Sequence, residues 1–194
     1  MGIATFPAPS GGVSSVQPKW VLIGSDVTTG ASATRTISSI PQTYSALKLI
    51  ANGYRNPNNN FDVGFRINND TNGNYAYSIA AWGALDGNRP AHNIGESGVR
   101  SEISNSFGDN TRQDQRCYFE AVIYNYTSTT DPKTWESWGT NRTAFNNQTW
   151  SMQGHGFYNP SSAAAITSVS LIGPADLALG SSNQGWGFFV YGAL

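Results

Sequence analysis

The chain has 194 residues, enough for one substantial core, with a formal net charge of -1 and only 12% charged residues, against about 25% in an ordinary soluble domain. Its eleven Lys and Arg residues are scattered without a run of three, which excludes the basic stripe that phosphate binding needs. A single Cys excludes an intrachain disulfide framework, and no stretch approaches the about 20 apolar residues of a membrane-spanning helix.

In chain order, residues 1–18 come first. They contain Pro7, Pro9, Gly11, Gly12 and Pro18 and read as an extended arm, with Phe6 as its apolar anchor. MGIATFPAPSGG has neither a basic start nor a continuous apolar core, so a secretory signal is not expected. Phe6 also stands where a myristoylation motif needs Ser or Thr. From Lys19 onward β patterns recur. KWVLIGSD (19–26), TRTISSI (34–40) and YSALKLIA (44–51) are short apolar or alternating runs bounded by Gly and Pro. In FDVGFRIN (61–68), Phe61, Val63, Phe65 and Ile67 alternate with polar or small residues, the period of a strand with one buried face. The polar run Asn68–Asn74 follows, and Tyr75, Tyr77 and Ile79 then resume the alternation. The expected form is a β-hairpin with a long loop.

Residues 83–93 are rich in Gly and Asn and read as a loop. GVRSEIS (98–104), CYFEAVIYNY (117–126), KTWESWGT (133–140), TWSMQGHGFY (149–158), AITSVSLIG (165–173) and WGFFVYGAL (186–194) supply the remaining strand candidates. About nine or ten short strands between Gly, Pro, Asn and Asp clusters define an all-β chain. The expectation is an antiparallel two-sheet β-sandwich, jelly-roll-like, spanning 19–194 as a single domain behind the arm.

Chemistry is scarce. His92 and His155 are far apart, and no HExxH or CxxC spacing occurs, so no metal site and no cofactor are expected. Asp70, Asn72 and Asn74 mimic the first ligands of a calcium loop, but Ala81 stands where the bidentate glutamate belongs. A loop satisfying its own backbone is the better reading. Cys117, inside an apolar run, reads as a small buried hydrophobe. Glu120 and Glu136, or Glu96 and Glu102, are nominal carboxylate pairs for glycoside hydrolysis. Glu120 alternates outward beside Phe119 and Ala121, so a solvated face is preferred and no enzyme is expected.

Six Trp and nine Tyr are a heavy aromatic load. Trp82, Trp135, Trp138, Trp150 and Tyr158 are read as loop residues beside Asn, Asp and Gln. Three uses fit them: filling the core and its ends, gripping a neighbouring subunit, or stacking on a sugar.

A strand ending in Phe65-Arg66-Ile67-Asn68 and followed by NDTNGNY resembles an element of virion structural proteins of tailed bacteriophages. In those proteins a segment similar to IPQTYSALKLI (40–50) precedes it, and an aromatic-Tyr-Gly-apolar ending similar to Phe188–Leu194 closes the chain. The likeness spans about residues 20–194, and its motifs are structural. It implies a non-enzymatic component of the virion exterior. A capsid decoration (cement) protein is favoured, bound as a homo-oligomer, by family habit a trimer, to the major capsid protein or other virion proteins. Phe6, Trp82, Trp135, Trp138, Trp150 and Tyr158 are then the expected interface residues. The alternative is a tail or tail-fibre-tip adhesin binding host glycan through loops at about 83–97, 105–115 and 139–160. A free-standing lectin is the third reading. Neither nucleic acid nor membrane insertion is expected.

Overall fold

The computed structural model describes residues 18–28, 34–54, 61–85, 89–100, 103–107, 116–142, 149–172 and 186–194. Among the described residues there is no helix, and twelve strands form two antiparallel sheets. They are β1 (Trp20–Thr28), β2 (Thr34–Ser38), β3 (Ala46–Tyr54), β4 (Phe61–Ile67), β5 (Tyr75–Leu85) and β6 (Arg89–Arg100). The rest are β7 (Ile103–Phe107), β8 (Arg116–Tyr124), β9 (Lys133–Arg142), β10 (Thr149–Tyr158), β11 (Ser168–Ile172) and β12 (Trp186–Ala193). The larger sheet runs β1-β12-β3-β8-β9-β10-β5-β6, and the smaller runs β2-β11-β4-β7.

One hydrophobic cluster joins the sheets. Leu47, Leu49 and Ala51 of β3, Phe119, Ala121 and Ile123 of β8, and Phe188 and Val190 of β12 meet Ile37, Phe65, Ile67, Val169 and Leu171 of the smaller sheet. Each strand contributes alternate residues, so the period-2 pattern becomes one dry layer between two sheets. Phe65 lies 4.7 Å from Phe119 with the rings 6° from parallel, and 5.8 Å from Phe188. Buried tyrosines fix the connections. The Tyr126 hydroxyl donates to the Pro41 carbonyl and accepts from the Tyr44 amide at 3.1 Å, anchoring the chain between β2 and β3.

The stretch at 61–80 corrects the sequence reading. β4 lies in the smaller sheet between β11 and β7, while β5 lies in the larger sheet between β10 and β6. The two are therefore joined by an arch that changes sheets, not by a hairpin. Period-2 alternation states which face is buried, and is the same for both connections. The turn is made by Asn68 and Asn69, with φ of 50° and 56°, a left-handed conformation that Asn tolerates. Asn68 also accepts the amides of Thr167 (2.9 Å) and Ser168 (3.1 Å) through Oδ1, and donates through Nδ2 to the Ala165 carbonyl. The buried Tyr75 hydroxyl takes the Ile67 amide at 2.8 Å, tying the first residue of β5 to the last of β4.

Asp70 holds the arch together. Its carboxylate accepts the Asn72 amide and side chain through Oδ1, and the Asn74 side chain and Tyr158 hydroxyl through Oδ2. The expected self-satisfied loop is thus what forms, and its carboxylate oxygens are spent on hydrogen bonds. Burial by itself raises the Asp70 pKa. Hydrogen bonds from Asn74, the Asn72 backbone, Tyr158 and the Asn72 side chain outweigh it and hold the carboxyl below its ordinary 3.8. The native state then binds this proton less readily than the unfolded chain does. Its stabilisation is full above the ordinary value and is lost as pH falls through the native one. Asp70→Asn is expected to cost about 1 kcal/mol at neutral pH and to flatten the acid limb. Urea midpoints of parent and variant should converge in strong acid; parallel curves would rule this out.

A second correction concerns residues 83–93, read as a loop. β5 continues to Leu85, and β6 begins at Arg89 as the outermost strand of the larger sheet. An edge strand needs partners on one side only, so a Pro-, Gly- and Asn-bearing sequence can occupy it.

Candidate functional site

The larger sheet turns one face to the core, leaving the other uncovered by any described strand. The register assigns its side chains. On β12 the inward Phe188 and Val190 alternate with outward Phe189, Tyr191 and Ala193. On β3, Ala46, Lys48 and Ile50 face outward, and on β8 Tyr118, Glu120, Val122 and Tyr124 do. On β1, Leu22 faces outward before a register shift between Leu22 and Gly24, and Ser25 and Val27 do so after it. Trp20 packs there on a small cluster of Ala46, Val122 and Ala193.

This half of the face, β1-β12-β3-β8, is mostly apolar. Leu22, Val27 and Tyr124 are exposed, Val27 to 65%. Phe189 and Tyr191 stack at 6.5 Å. Its charges are internally matched: Lys48 pairs with Glu120 at 3.2 Å and lies 4.6 Å from the centre of the Trp20 ring. Glu120 also accepts the Tyr118 hydroxyl. Burial, and then the Glu120 carboxylate, push the Tyr118 hydroxyl well above its ordinary range. Glu120 therefore faces outward as expected, but as a paired and half-buried group rather than a free solvated one.

Next to it, the described outward side chains of β9 and β10 are polar with two exceptions. Outward Thr134, Glu136, Trp138 and Thr140 on β9 stand beside Ser151, Gln153, His155 and Phe157 on β10. Trp138 and Phe157 are both exposed.

The expected interface aromatics separate into three groups. Trp135 and Tyr158 belong to the core, 1% and 3% exposed, with Tyr158 reaching Asp70 and packing on Tyr75 at 4.7 Å. They have no surface to offer a partner, which corrects their assignment. Trp138, three residues from Trp135 on the same strand, points the opposite way and is 37% exposed. Phe6, and the side chains of Trp82, Trp150 and Cys117, lie outside the described residues. None of the four Trp residues or Tyr158 is on a loop: Trp82 is in β5, Trp135 and Trp138 in β9, Trp150 and Tyr158 in β10. The glycan-binding loops expected at 83–97 and 139–160 are likewise largely strand. The intervening Gly154 and Gly156 on β10 conceal the pattern, because small residues stand where apolar ones would mark the buried face.

Sequence reasoning missed Leu22, Val27, Tyr124 and Phe157. Leu22 and Tyr124 sit in apolar runs where side chains on both faces of the strand are hydrophobic, and such runs read as buried strands. Val27, between Asp26 and Thr28, and Phe157, after Gly154-His155-Gly156, stand among polar and small residues that mark no face. Among the described residues no group of His, Cys, Asp and Glu could hold a metal ion. Comparison with family models, with curated proteins and with solved structures finds no match.

Proposed function

We propose that this chain is a non-enzymatic virion structural protein of a tailed bacteriophage, a capsid decoration subunit that binds the outside of an assembled shell. The observation that carries this reading is the apolar face of β1, β12, β3 and β8, which no described strand covers and on which Lys48 and Glu120 neutralise each other. A surface with paired charges and exposed aliphatic and aromatic groups loses little on desolvation, the property of an interface centre.

The strand order supports the setting. β1 pairs with β12, β2 with β11, β3 with β8 and β4 with β7. That is a ribbon of two antiparallel chain halves folded into two four-stranded layers, β1-β12-β3-β8 over β2-β11-β4-β7. This strand order supports reading the two layers as a jelly roll, an architecture found in viral capsid and lectin domains. The hairpins β5-β6 and β9-β10 are insertions that widen one layer. The motifs at 40–50, 61–78 and 188–194 resemble virion proteins and favour the same setting. A trimer, with residues 1–18 as an arm toward the neighbour, would complete the unit. Bound subunits stabilise the shell by mass action, because they bind only the assembled lattice.

The test uses the full chain. Sedimentation should show an oligomer, and adding the protein to bare capsids should raise their melting temperature. Leu22→Asp with Val27→Asp, at exposed positions where the fold tolerates polar groups, is expected to weaken both by at least about tenfold in affinity. A chain that stays monomeric and adds to no shell would refute the proposal, as would a double variant that assembles like its parent.

A further inference from the structure

We propose that the β9-β10 part of the outward face, with Glu120 at its margin, binds a non-anionic oligosaccharide. This surface borders the apolar part assigned to subunit docking and shares Glu120 with it, but its aromatic positions, Trp138 and Phe157, are distinct from Leu22 and Val27.

Trp138 is the first stacking position. Its direct cross-strand neighbours are Glu120 on β8 and Gln153 on β10, each with Cβ about 5 Å away. A pyranose ring has a face of C–H groups with partial positive charge and a rim of hydroxyls. The C–H face matches the negative face of an indole. The hydroxyls need both acceptors and donors beside the ring. Glu120 supplies acceptors only, while Gln153 supplies both. Glu120 is also held in advance, by Lys48 at 3.2 Å and by the Tyr118 hydroxyl, and these leave carboxylate lone pairs free for a ligand. A pre-ordered partner lowers the cost of binding.

A second aromatic lies along the same face. Phe157 stands opposite Thr134, four residues from Trp138 on β9, about 13 Å away at 3.3 Å per residue. Between them is the exposed cross-strand pair Glu136 and His155. Two stacking positions with polar groups between them match a chain of sugars rather than one ring. A protein partner would prefer an apolar centre depleted of charge. The spacing here is the reverse, with charge in the middle and aromatics at the ends.

Electrostatics narrows the ligand. Among the described side chains of this face near Trp138, the carboxylates are Glu120 and Glu136, and the lysine, Lys48, is already paired. A uronate or sialylated chain would meet two carboxylates, so neutral or amino sugars are favoured.

The experiment is calorimetric titration of the full chain with neutral hexasaccharides (cello-, malto- and chito-oligomers), their monosaccharides, and a polyuronate. Binding is expected for at least one hexasaccharide, with the monosaccharide weaker by at least about tenfold. Trp138→Ala should lose at least about tenfold, Trp138→Phe should restore part of it, and Phe157→Ala should weaken the hexasaccharide but not the monosaccharide. Both positions are exposed, so melting temperatures should stay within about 3 °C of the parent. Leu22→Asp with Val27→Asp should leave sugar binding intact, which separates this site from the docking face. No binding to any neutral hexasaccharide, tighter binding of the polyuronate, or a Trp138→Ala variant that binds like its parent would each overturn the proposal.

Discussion

Gly156→Ala is expected to cost about 3 kcal/mol, the upper part of the range for overfilling a core. A Cβ at residue 156 would lie 2.0 Å from the Ala76 carbonyl oxygen, and 2.6 and 2.9 Å from Cζ2 and Cε2 of Trp135. Neither neighbour can yield cheaply. Ala76 is fixed in the β5 ladder, and Trp135 is buried directly across β9 from Gly156. Among the described residues the Trp135 Nε1 has no hydrogen-bond partner; packing positions the indole, and the absent side chain of Gly156 makes its room. Urea unfolding should show a lower midpoint with an unchanged slope, and the melting temperature should fall by about 10 °C. Gly24→Ala is the control. There the new Cβ meets one methyl, Cγ2 of Ile37, at 2.9 Å, rather than a backbone oxygen and an indole ring, and the expected cost is about 1 kcal/mol. Equal stabilities for the two variants would contradict the packing of Trp135 against β10.

Phe65→Ala should be costlier still, about 4 kcal/mol. Phe65 is fully buried on the smaller sheet, and its ring stacks on Phe119 and Phe188, which belong to two strands of the larger sheet. Removing it deletes the central contact between layers and leaves a cavity walled by two aromatic rings that the ladders hold apart. Against a total stability of about 5 to 15 kcal/mol, that is a large share. Phe157→Ala removes the same side chain from an exposed outward position and should change stability by less than about 0.5 kcal/mol. The contrast between the two phenylalanines reads out which face of the larger sheet is core. A Phe65→Ala variant as stable as Phe157→Ala would mean that the sheets do not pack through this layer.

The all-β class and most strand positions are legible in the residues. Alternation at 61–67 and 34–38, and the apolar runs at 117–124 and 186–193, each correspond to an observed strand. Legibility fails where one residue type serves two ends. Gly156 looks like a loop residue, yet it is a strand residue that leaves space for Trp135. Trp135 and Trp138 are indistinguishable by type, and three positions along a strand put them on opposite faces, one in the core and one at the candidate site. The arch at 68–74 carries the composition of a hairpin loop because both need left-handed Asn and a carboxylate to collect amides.

What the chain settles locally is which residues extend and which side of each strand avoids water, since both follow from steric preference and hydrophobic burial within a few neighbours. Which strands lie side by side is decided by contacts between residues up to about 170 positions apart, such as Trp20 with Ala193, and no local pattern encodes them. The candidate site is of that second kind. Glu120, Trp138 and Gln153 become neighbours only when β8, β9 and β10 pair in register, and the face they share is outward only because Phe65 and its partners claim the other.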